Sequence, residues 1–101
     1  MSRMVEMAEK EVMRTDILEI CRQSIPIGAD AQVIRAALRR GGHDASDRDV
    51  DDALYYLQGR GLLELQAVDN RRLGLHRIIA RITAEGIDVL DGSSPAAGVD
   101  L

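Results

Sequence analysis

The chain has 101 residues, with 13 Lys plus Arg against 17 Asp plus Glu and a formal net charge of −4. That length suits one hydrophobic core rather than two, and 46% hydrophobic with 30% charged residues is the mixture of a globular domain. No apolar run approaches the roughly 18 residues of a membrane helix, and no basic start leads into an apolar block with a small-residue cleavage site. The expected place is therefore the cytoplasm, with no membrane partner. A single cysteine, Cys21, excludes an internal disulfide, and no Cys/His cluster offers a zinc site, so no metal and no cofactor is expected. Phe and Trp are absent and Tyr55 and Tyr56 are the only aromatics. The core must be aliphatic, and two adjacent rings do not make a stacking platform for single-stranded nucleic acid. Negative net charge also argues mildly against a general nucleic-acid binder, depending on where the charges sit.

In chain order, Met1, Val5, Ala8 and Val12 fall at helical spacing, and Ile17, Leu18, Cys21 and Ile25 continue it until Pro26 and Gly28. This predicts a helix over Val5–Ser24, with Thr15-Asp16 offering an N-cap and so a place for a break. Asp30 caps a second helix whose buried face is Val33, Ile34, Ala37 and Leu38, and Gly41-Gly42 ends it. After the turn Gly42-His43-Asp44-Ala45, Ser46 caps a third helix with buried Val50, Ala53, Leu54 and Leu57, ending at Gly59-Arg60-Gly61.

The period then changes. Leu63, Leu65 and Ala67 alternate with Glu64 and Gln66, as in a half-buried strand. Asp69–Arg72 reads as a turn. Leu73 to Ile82 resumes strand character, with Ile78, Ala80 and Ile82 on one face and Arg77, Ile79 and Arg81 on the other. Thr83 caps a last short helix through Leu90. Residues 92–101 read as a flexible tail after a domain spanning 1–91. Helix, helix, turn, helix, strand, turn, strand, short helix is mainly α with a β-hairpin (α+β), the order of a winged helix-turn-helix.

Three stretches carry a resemblance: Gly28-Ala29-Asp30 through Leu38 with Gly42-His43 and Ser46; Leu54-Tyr55-Tyr56-Leu57-Gln58-Gly59-Arg60-Gly61-Leu62; and Ile82-Thr83-Ala84-Glu85-Gly86 through Gly92. Over about residues 17–92 the chain resembles small winged-helix proteins of Mu-like transposable phages and prophages, which are grouped with ArsR-like regulators by fold. Its Leu-x-x-Leu-x-x-x-Gly-Leu and Ile-Thr-x-x-Gly patterns are shared with MarR- and PadR-like regulators. The resemblance implies a DNA-binding regulator in a bacterial host cell. The chain departs from that group in a longer hairpin with extra arginines between Arg71 and Arg81.

A winged helix places its third helix in the major groove and its hairpin against the backbone or minor groove. Off the buried stripe, helix three offers Asp47, Arg48, Asp51, Asp52, Tyr55 and Tyr56. Carboxylates are repelled by phosphate, which leaves Arg48 with Tyr55 and Tyr56 as groove contacts. The hairpin is basic, with Arg71, Arg72 and Arg77, and on helix two Arg35, Arg39 and Arg40 could hold phosphates. The plainer alternative is solvated surface charge and protection of a sheet edge.

Two functions follow. One is a regulator that binds duplex DNA as a homodimer, using Met4, Val5, Ala8 and Val12 to pair two copies. The other is a protein-interaction adaptor, with Asp47, Asp51 and Asp52 docking on a basic phage or host partner. His43 reads as a turn residue, His76 stands alone in a strand, and Cys21 reads as a buried structural thiol. The aspartates of 44–52 lack the spacing of a calcium loop, and no phosphate-cradling or nucleophile-elbow motif occurs, so no enzyme is expected. The whole net charge has an address: His43–Tyr56 holds Asp44, Asp47, Asp49, Asp51 and Asp52 against Arg48, and the rest of the chain balances.

Overall fold

Local stop signals cut the described residues into seven elements. The computed structural model describes residues 3–92, as α1 (Arg3–Gln23), β1 (Ala29–Asp30), α2 (Ala31–Arg40), α3 (Asp47–Gly59), β2 (Leu63–Asn70), β3 (Leu75–Ile82) and α4 (Ala84–Leu90). The three strands form one antiparallel sheet in the order β1-β3-β2.

The caps sit where the sequence places them. The Asp30 carboxylate accepts the Gln32 N–H at 2.8 Å. Ser46 and Asp49 form a reciprocal capping box at the start of α3, and the Thr83 hydroxyl accepts from Gly86 N–H. Both α2 and α3 end in the same device. Gly42 and Gly61 adopt positive φ. The next residue's N–H then turns back to a helix carbonyl, His43 to Leu38 and Leu62 to Leu57. Only glycine takes that conformation without steric cost.

Several expectations are corrected. α1 begins at Arg3 and is unbroken through Thr15-Asp16. The Thr15 hydroxyl donates to the Glu11 carbonyl at 3.0 Å, bonding back along the helix instead of capping a new one. The strand β1 has no forerunner in the sequence reading, since two residues carry no periodicity; it pairs Ala29 with Ala80 and Asp30 with Ile79. Val33, expected in the core, is 58% exposed, because Ala31, Ile34 and Leu38 set the buried face of α2. Ile25, also expected inside, lies exposed past the end of α1. The hairpin turn falls later than expected: β2 runs through Asn70, and β3 starts at Leu75. The Asn70 side-chain oxygen accepts the Leu73 N–H at 3.2 Å, fixing Arg71, Arg72 and Leu73 at the tip.

The core is aliphatic. Ile17, Leu18 and Cys21 from α1 meet Ile34 and Leu38 from α2, Leu57 from α3, Leu63 from β2 and Val89 from α4. The sheet contributes its inner face through Ala80, with Ile78 and Ile82 packed beside it. The result is a compact α+β domain of four helices and a three-stranded antiparallel sheet among the described residues. Two parts reach past this core. α1 is exposed from Arg3 to Lys10, and the hairpin is exposed from Gln66 to Arg77. No helix among the described residues is long and apolar enough to cross a membrane. The tail expected at 92–101 lies, beyond Gly92, outside the described residues, as does Met1.

Candidate nucleic-acid interface

The charged face of α2 and α3 is largely internally paired. Arg35, with its side chain 21% exposed, donates from Nη2 to Asp51 at 2.6 Å. Its buried Nε lies 3.8 Å from Asp47, an ionic contact but not a hydrogen bond. Arg39 reaches the same Asp47 at 2.5 Å. Two helix-two arginines expected at phosphate, and two helix-three aspartates expected at a basic protein, therefore hold each other. Residues 16 and 8 positions apart in sequence meet here, a pairing no single-helix pattern displays.

Two further expected DNA contacts are also engaged. Arg77 donates to Asp30 at 2.8 Å, tying β3 to the cap of α2. Partial burial alone would raise the Asp30 pKa; hydrogen bonds from Arg77 and the Gln32 N–H, with the charges of Arg77 and Arg35, instead hold it below its ordinary value. Tyr56 is half-buried and packs against the core, and the Arg14 guanidinium stacks 3.7 Å from its ring centroid.

The unpaired cations lie elsewhere. Arg71 and Arg72 at the hairpin tip make no side-chain hydrogen bond or ion pair among the described residues, and neither do Arg40 at the end of α2, Arg48 on α3 and Arg60. Tyr55 is 62% exposed on α3. Arg48, Tyr55, Arg40 and the hairpin-tip arginines thus stay exposed, while Arg35, Arg39, Arg77 and Tyr56 are engaged within the fold.

On the other side of α3 lies a groove of about 680 Å³. It runs between the first turns of α1, the loop after α2, and α3. Buried Met13 and Ala53 with half-buried Tyr56 form its floor. Glu6, Glu9, Asp44 and Asp52 stand exposed around it, each without an ion pair among the described residues. Asp52 is the one expected protein-contact aspartate that stays open. The pKa of Asp49, also lining the groove, is lowered by the Ser46 N–H and hydroxyl, and further by the charges of Lys10 and Arg48.

The histidines acquire partners that sequence spacing does not show. His43 Nε2 lies 2.6 Å from the Asp16 carboxylate of α1. His76 Nδ1 meets Asp69 directly across the hairpin. Cys21 is buried, and burial pushes its pKa up to about 12, which suits a packing thiol and not a nucleophile. Among the described residues no group of three or more His, Cys, Asp or Glu side chains is placed to hold a metal ion. The expected dimerisation residues Met4, Val5, Ala8 and Val12 are all exposed on α1, Met4 at 81%, whereas Met13 lies in the domain's own core. Comparison with protein-family models, curated proteins and solved structures finds no match to this chain.

Proposed function

We propose that the domain is a winged helix-turn-helix module of phage or prophage origin that binds duplex DNA through its basic hairpin, as a transcriptional regulator. The element order supports the fold: α2 and α3 are followed by a hairpin whose second strand pairs with a short strand between α1 and α2. The observation that carries the DNA reading is the pair of unpaired arginines, Arg71 and Arg72, at the tip of an arm that extends past the core. Arg48, Arg40 and Tyr55 add backbone and groove contacts on the same module. The α2–α3 ion pairs remove much of the objection from acidic helix three, since Asp47 and Asp51 face cations already. An affinity built this way is mostly phosphate-driven, and so strongly salt-dependent.

Titration of labelled duplex DNA across a salt series tests the reading. Arg71→Ala with Arg72→Ala should flatten the log K against log salt slope by about 1.8, roughly 0.9 per lost phosphate contact. No binding at low salt refutes it.

A second reading, an adaptor for a basic protein, is favoured by the acidic groove with its open Asp52. On that reading the contact set moves from Asp47 and Asp51, which are engaged, to Asp52 with Glu6 and Glu9.

A further inference from the structure

The chain itself carries a segment of the chemistry that the groove would accept. We infer that the hairpin tip of one copy docks into the α1–α3 groove of a second copy. The inference rests on the acidic groove of the adaptor reading and does not require DNA binding.

Charge complementarity is the first argument. Glu6, Glu9, Asp44, Asp49 and Asp52 outnumber Lys10 and Arg14 around the groove. The tip presents Arg71 and Arg72 with no partner among the described residues. Complementary potentials of this kind set the register and steer association.

Leu73 is the second argument. It sits beside those arginines at 70% exposure, in a turn of the kind usually built from polar residues and glycine. At that exposure most of the leucine lies outside the packing of its own copy. The groove lies over Met13, Ala53 and Tyr56, with the Arg14 guanidinium stacked on the Tyr56 ring and carboxylates around the rim, so its floor is partly apolar. An apolar anchor seated within a polar ring is the usual anatomy of a strong contact. The groove, at about 680 Å³, has the size of sites that enclose a few side chains.

Each copy owns one tip and one groove, so reciprocal docking closes as a two-fold pair. The groove lines the side of α1 bearing Glu6, Lys10 and Met13. Val5, Ala8 and Val12 occupy another face of the helix, so this contact differs from pairing through the α1 stripe.

A charge swap tests the inference. Equilibrium sedimentation of the full chain at low salt should give twice the 11.1 kDa chain mass, falling toward the single mass at high salt. Arg71→Glu with Arg72→Glu should be monomeric, because an acidic tip meets an acidic groove. Glu6→Arg with Glu9→Arg should be monomeric for the opposite reason. Mixing the two variants restores both tip–groove contacts and should restore the double mass. Leu73→Asp, confined to the exposed turn, should also abolish association. Circular dichroism reports whether each variant is folded.

The inference is overturned if the wild-type chain stays at single mass at low salt. It is equally overturned if either reversal variant self-associates like wild type, which would place the contact elsewhere, including the α1 stripe. A mixture that fails to pair overturns it too. Because the arginines of Glu6→Arg with Glu9→Arg would themselves attract phosphate, the DNA reading is tested separately by titrating duplex DNA with the wild-type chain, whose Arg71 and Arg72 are unchanged.

Discussion

Arg35 joins α2 to α3, and replacing it has a measurable consequence. Its Nη2 lies 2.6 Å from Asp51, with side chains 21% and 43% exposed. A hydrogen bond to a charged partner contributes about 1.5–3 kcal/mol, whereas a fully exposed ion pair contributes about 0–1 kcal/mol. The partial exposure puts the Arg35–Asp51 coupling between these limits, at about 1.5 kcal/mol. The 3.8 Å approach to the exposed Asp47 adds little. For a domain of this size each kcal/mol moves Tm by roughly 4–8 °C, so Arg35→Met should lower it by about 6–12 °C.

The assay is a double-mutant cycle of Arg35→Met and Asp51→Asn, read by urea denaturation followed by circular dichroism at neutral pH and two salt concentrations. The more exposed pair Arg39–Asp47 serves as the control, with coupling below about 0.5 kcal/mol and near zero at high salt. Equal coupling for the two pairs, or none for Arg35–Asp51, would refute the claim that the α2–α3 interface is clamped by these charges.

Three other outcomes follow from the packing. A Cβ on Gly86 would stand 2.4 Å from the Leu62 carbonyl oxygen and 2.7 Å from Ile82 Cγ1. Gly86→Ala should therefore push α4 away from Leu62 and Ile82 and destabilise by about 1–3 kcal/mol, visible as a lower urea midpoint; an unchanged midpoint would mean that α4 is loosely held. The Asp30 pKa is depressed in the folded state, so its contribution is present above the ordinary carboxylate value of about 3.9 and is lost as pH falls through the folded value. Denaturation between neutral pH and about pH 2 should show that loss, and Asp30→Asn should reduce the slope; an unaltered slope counts against the Arg77–Asp30 link. Cys21, buried with its pKa raised to about 12, should resist a thiol reagent in the native chain and react promptly in denaturant. Fast labelling without denaturant would show that the α1 face opens.

Local physics made most of the elements legible. Asp30, Ser46 and Thr83 cap because a side-chain oxygen satisfies an N–H only two or three residues away, and Gly42 and Gly61 stop helices because their own backbone turns left-handed. Such signals lie within a few residues of the event they cause. The aliphatic stripe of α3 was equally plain, since Val50, Ala53, Leu54 and Leu57 all point inward as their spacing requires. The misreadings occurred where distant partners decide. Thr15 has capping chemistry, but the helix on both sides supplied a better use for it. Strand β1 exists because β3 offers an edge to Ala29 and Asp30. Val33 is exposed because Ala31, Ile34 and Leu38 already fill the contact with the core.

The net charge of −4 shows the division most clearly. By itself the sequence determined that the imbalance lies between His43 and Tyr56 and that the hairpin is basic, because composition along a chain is a one-dimensional property. Only the tertiary structure decided what those charges face. Packing α2 against α3 sets Arg35 beside Asp51 and Arg39 beside Asp47, so two of the five aspartates are neutralised by residues from the preceding helix. Among the charges that stay open are Asp44 and Asp52 with Glu6 and Glu9 at the α1–α3 groove, Arg71 and Arg72 at the hairpin tip, and Arg40, Arg48 and Arg60. Coulomb interactions depend on distance through space, and the fold sets that distance.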